Sequence, residues 1–258
     1  MSEDDWLASR HGRQMLVFVL TATTPIRTRW LGWREARRFA VGERKVRLVE
    51  VACCERVADL VPSIEIRNLI AVARSLVEDR GNDDGWGRAR AQAALEVIGG
   101  AISDGGVCGK WNSASFEAVD AVSRLFCHPA NEHSVVLESA ARARADAVAT
   151  SEPSAVYERR LHQALVAEQA RQADLVREVI GNPFRPASID PAWLTANDHA
   201  AARIAEGIAS ARVFADLPIL ADALEDAGCT SRAVLDHCRT PGSHGVGCWV
   251  LDLLLGKS

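Results

Sequence analysis

Apolar residues in this chain recur every three or four positions, and no run alternates strictly, so the chain is committed to amphipathic helices rather than to a sheet. The clearest stretch is Ser154–Ile180, where Leu161, Leu165, Gln172, Val176 and Val179 keep one face. Gly181 and Pro183 supply its stop. Unbroken, that helix would be about 40 Å long. Between 43 and 61, Val46, Val49, Cys53, Val57 and Leu60 form a second stripe, with Arg44, Arg47, Glu55 and Asp59 off it. Pro62 ends it.

The same reading predicts helices over 64–80, 88–98, 114–126, 198–210, 217–227, 231–238 and 249–255. Asp216 is the expected N-cap of 217–227 and Gly228 its stop, while Thr230 is expected to cap 231–238. The stretches GNDDGWG and GGAISDGGVCGK are too rich in turn formers for either regular element. Three prolines in NPFRPASIDP impose an extended connector. The expected architecture is all-α: an irregular multi-helix array. Residues 1–183 form a helical body with a glycine-rich mobile loop near 81–112, and residues 184–258 a compact C-terminal helical module.

The segments GNPFRP, DPAWLT followed by Asn197 and Asp198, LADALEDAGC and HCRTPGSHGVGCWVLDLLLG resemble a large family of uncharacterised proteins associated with planctomycete bacteria. The resemblance is strong over 181–258 and fainter over 1–60, where RKVRLVEVACCERV resembles the family's first helix. It supports the module boundary and implies no activity, ligand or partner.

Composition bounds the function. A formal charge of -4 provides no long-range pull toward nucleic acid or an acidic membrane. Seven cysteines without framework spacing read as free thiols in a reducing compartment, and the acidic start MSEDDW is unlike a secretory signal. The apolar run from Met15 to Leu20 is too short to span a membrane. The expected location is the cytoplasm.

The sharpest chemical pattern is Cys229, Cys238, His244 and Cys248, three thiols and an imidazole of the kind a structural zinc accepts. A helix over 231–238 opposes it, because it would hold the sulfurs of Cys229 and Cys238 on the order of 12 Å apart. Replacing Cys229 by His237 removes that conflict but asks two adjacent helical side chains, His237 and Cys238, to point the same way. Cys248 at a helix start, four residues after His244, also raises the possibility of a thiol nucleophile.

Within 27–47, eight Arg and Lys against Glu35 and Glu43 leave a net +6, interleaved with Trp30, Trp33 and Phe39, a composition suited to single-stranded nucleic acid. Solvated helix faces over core tryptophans are the competing account. Asp222 and Asp226 share a helix face without a partner histidine. GGVCGKW has Asp104 and Trp111 where a phosphate loop needs glycine and a hydroxyl, and GNDDG lacks the outer ligands of a calcium loop. No catalytic residue is assigned. The expectation is a non-catalytic interaction or scaffold protein with a protein partner and no membrane. Zinc stabilisation through Cys229, Cys238, His244 and Cys248, or nucleic-acid binding through 27–47, is the alternative.

Overall fold

The structure, a computed structural model, describes residues 1–23, 41–78, 89, 112–127, 134–150, 154–242 and 244–257. Apart from Ala89, the expected helix over 88–98 lies outside the described residues, as do nearly all of the glycine-rich loop near 81–112 and residues 27–40 of the basic segment. Among the described residues there are eleven α-helices and no strand, so the fold is all-α. None of these helices is long and apolar enough to cross a membrane. The chain divides into two compact units, Met1–Val176 and Arg177–Ser258. The division falls inside the long helix, ahead of the 183/184 boundary expected from the prolines, because the last turn of that helix is bound to the second unit through Glu178.

The first unit contains α1 (Glu3–Ala8), α2 (Gly12–Thr23), α3 (Glu43–Glu55), α4 (Ile64–Glu78), α5 (Ser113–Cys127), α6 (Ser134–Ala149) and most of α7 (Ser154–Ile180). The expected helix over 43–61 ends at Glu55, and Ala58–Leu60 form a 3-10 turn. Arg56 is the C-cap of α3, its N–H still donating to the carbonyl of Ala52, while its guanidinium reaches across to Glu168 on α7. α1 starts with a capping box, in which the Ser2 hydroxyl accepts from Asp5 N–H and the Asp5 carboxylate from Ser2 N–H. Helix α6 was not anticipated. It buries Val136, Leu137, Ala140, Ala141, Ala143 and Ala145 on several sides, packing against α2, α3 and α5, so it carries no single apolar stripe to detect.

Gly12 marks a close approach. A Cβ there would lie 2.7 Å from the backbone carbon of Gln172 and 2.8 Å from the nitrogen of Ala173, and neither backbone atom can swing aside. Alanine is the better helix former by about 1 kcal/mol, yet overpacking costs about 1–3 kcal/mol. Gly12→Ala is therefore expected to lower the urea midpoint of unfolding instead of raising it.

The second unit contains the end of α7, α8 (Pro191–Ala211), α9 (Leu217–Asp226), α10 (Arg232–Arg239) and α11 (Trp249–Leu254). Its core is formed by Ala201, Ala205 and Ile208 of α8, Leu217, Leu220 and Leu224 of α9, Val234 and Leu235 of α10, and Val250, Leu251 and Leu254 of α11. Trp193 and Leu194 pack against this core from a helical turn that precedes the expected start at 198. Asp190 caps that turn, its carboxylate accepting from Ala192 N–H at 2.9 Å, with Pro191 in the first helical position.

Between the turn and the rest of α8 the backbone breaks, and Asn197, Asp198 and His199 all take left-handed conformations (φ 51, 55 and 59°). Asn and Asp tolerate that region better than other non-glycine residues. Asp216 occupies the N-cap position of α9 as expected, but its side chain makes no capping bond, and α10 begins after Ser231 instead of Thr230, again without a side-chain cap. The starts of both helices are held by burial of Leu217 and Val234 instead.

Candidate metal centre

Four side chains of the second unit converge: Glu178 from the last turn of α7, His237 from α10, His244 from the following loop, and Cys248 at the N-cap of α11. One ligand atom from each lies within 4.8 Å of all the others. His237 Nε2 is 3.2 Å from Cys248 Sγ and 3.4 Å from Glu178 Oε2, and His244 Nδ1 is 3.1 Å from the same oxygen. A tetrahedral zinc with bonds of about 2.0–2.3 Å would set its ligands roughly 3.3–3.8 Å apart, so these positions are within a small adjustment of that geometry.

Local structure accounts for each position. Glu178 stays on the helix through its final turn, and α7 then stops at Gly181, whose φ of 76° is the left-handed state a helix end favours. A Cβ at Gly181 would stand 3.1 Å from Trp249 Cγ, so the indole lies directly on the helix end. His237 and Cys238 are neighbours on α10, about 100° apart around its axis. That rotation sends Cys238 into the apolar core and His237 toward the cluster.

The predicted set is thus divided. His244 and Cys248 belong to the cluster, whereas Cys229 and Cys238 sit in the apolar core, 3% and 1% exposed. The helix between those two cysteines is real, and the conflict anticipated from its length is resolved in its favour. The sequence reading considered His237 only beside Cys238 and missed Glu178 entirely. Glu178 lies 66 positions before His244, and nothing local to α7 marks it.

Electrostatics shape the cluster. Burial draws the His237 pKa down to about 4, with the charge of His244 adding to it, so the ring is neutral at physiological pH and has a lone pair to offer. Burial raises the Glu178 carboxyl, against the attraction of His244. The Cys248 thiol is pushed up by burial and by Glu178, despite hydrogen bonding from the Leu251 and Val250 backbone. Its sulfur is fully buried and faces His237 Nε2 at 3.2 Å. A thiol nucleophile needs an accessible sulfur with a lowered pKa, so the sequence-based nucleophile reading does not fit this residue.

His244 is the most constrained member. Its Nε2 is 3.0 Å from the carbonyl oxygen of Thr240, which can only accept, so Nε2 carries a proton. Nδ1 then faces both oxygens of Glu178, at 3.1 and 3.2 Å. An imidazole nitrogen and a carboxylate at that distance need a cation between them, either a proton or a metal. A backbone carbonyl on the far nitrogen is also the partner that metal-binding histidines ordinarily have.

Other candidates resolve into internal pairing. Arg44 pairs with Glu78, and Arg47 reaches Glu43, Glu50 and the carbonyl of Leu125, so these two cations of the basic segment are engaged within the first unit. Asp222 joins Glu225 in holding Arg239, at 2.7 and 2.6 Å, and its expected helix-mate Asp226 is outside that bridge.

The fold and the cluster define an all-α chain whose second unit presents a Glu-His-His-Cys set suited to a metal ion. Comparison with protein-family models, with curated proteins and with solved structures finds no match.

Proposed function

We propose that residues 177–258 form a zinc-stabilised helical module, with Glu178, His237, His244 and Cys248 as the ligands, that works through contact with a protein partner. The observation that carries this is the convergence of four metal-binding side chains of three kinds, with His244 Nε2 already committed to a backbone carbonyl and its Nδ1 aimed at Glu178. Thiolate, imidazole and carboxylate together suit a borderline ion such as zinc better than calcium or magnesium, which take oxygen donors. Four protein ligands fill a tetrahedral sphere and leave no position for a substrate, the pattern of structural rather than catalytic zinc. The ion would join the end of α7, α10, the loop after it and the start of α11. Its contribution is then rigidity, and the module's work falls to its outer surface.

The test is metal analysis of the full chain, purified without chelator or histidine tag. One zinc per chain is expected. Replacing it with cobalt should give the strong visible bands of a tetrahedral site and a thiolate-to-cobalt charge-transfer band that Cys248→Ser removes. A chain that takes up neither metal from a metal-replete buffer rules this reading out.

A further inference from the structure

The two histidines of the cluster are prepared differently. In His244 the proton sits on Nε2 against Thr240, and Nδ1 is turned inward, so the ring already has its metal-binding tautomer. In His237 the order is reversed. The indole Nε1 of Trp249 lies 3.1 Å from His237 Nδ1, with the rings 5.0 Å apart. An indole N–H can only donate, so Nδ1 accepts and the proton of the neutral ring is on Nε2. Nε2 is the nitrogen that faces Cys248 Sγ and Glu178.

A metal ion at the cluster needs the lone pair of Nε2. The proton must then be carried on Nδ1, where it meets the indole N–H head-on, donor against donor. Metal and indole therefore compete for opposite ends of the same ring. Resting on the zinc reading above, we propose that Trp249 sets the metal affinity of the cluster. Its indole holds His237 in the tautomer that cannot ligate, and metal binding shifts the proton from Nε2 to Nδ1 and displaces the indole N–H. Trp249 is half-buried, rests on Gly181 and packs against the core of the second unit, so the indole is a fixed neighbour of His237.

The competition predicts an effect opposite to that of an ordinary supporting residue, whose loss weakens metal binding. Trp249→Phe keeps an aromatic ring on Gly181 and removes the N–H, and should bind zinc more tightly, by up to about tenfold, the worth of one hydrogen bond. The measurement is competition against a chelator of known affinity, using the full chain. A second readout needs no variant: in ¹⁵N-tryptophan-labelled wild-type chain, the indole resonance that Trp249→Phe deletes should shift when one equivalent of zinc is added. Equal or weaker binding by a folded variant, or an unmoved indole resonance in a zinc-loaded wild type, overturns the competition and leaves the metal site standing. Failure of the wild-type chain to take up zinc overturns both.

Discussion

Cys248→Ala is expected to lower zinc affinity by more than a hundredfold, whereas Cys229→Ala and Cys238→Ala leave it unchanged. The floor comes from hydrogen-bond partners of metal ligands, whose loss typically costs about 10–100-fold. Removing a ligand must exceed that. The contrast lies in where each sulfur sits: Cys248 is 3.2 Å from His237 Nε2, while Cys229 and Cys238 are packed among Leu, Val and Ala side chains. Their replacement should register as lost packing, roughly 1–2 kcal/mol each in urea unfolding. Zinc titration of the three variants by chelator competition, beside unfolding with chelator present, separates the two kinds of loss. A large affinity loss in Cys229→Ala or Cys238→Ala would restore the set that the sequence alone suggests.

The largest stability effect is expected in the first unit, at Arg56 and Glu168. The Glu168 carboxylate is 1% exposed and is gripped by Arg56 through two bonds of 2.6 and 2.7 Å. That bidentate grip also raises the Arg56 pKa, so the guanidinium stays charged. Arg56→Met leaves a buried carboxylate facing only the more distant Arg171 guanidinium, 3.5 Å away and 59% exposed, among its ion-pair partners in the described residues. Losing one member of a buried pair typically costs 3–5 kcal/mol. Here about 2–4 kcal/mol is expected, because Arg56 is itself 32% exposed. Arg56→Met combined with Glu168→Leu should recover much of the loss, since an apolar pair has no charge to desolvate. Urea denaturation of the single and double variants checks both. A double variant no better than the sum of its parts would mean that the ion pair is not what Arg56 contributes.

Much of the helical architecture was legible because one buried face imposes a three- and four-residue spacing, as in 154–180 and in α4. Where burial is not confined to one face, the signal fails. Helix α6 is buried on several sides and reads as a featureless run of Ala, Arg and Val. The break at 196–199 was also hidden, because it depends on three left-handed residues whose side chains look ordinary in a polar turn. His244 and Cys248 could be picked out by ligand type and proximity. His237 could not be preferred over Cys238 without knowing which side of α10 faces the core.

The sequence by itself determined that the chain is helical, where its longest helix begins and ends, and that its last thirty residues hold an unusual supply of ligands. Only the tertiary structure decided which ligands meet. Periodicity reports which face of a helix is buried, but not what it is buried against, and Glu178 reaches His244 across 66 residues because α7 ends beside α10 and α11. The tautomers of the two histidines were likewise beyond the sequence, since each is set by a partner that folding delivers: the Thr240 carbonyl in one case and the Trp249 indole in the other.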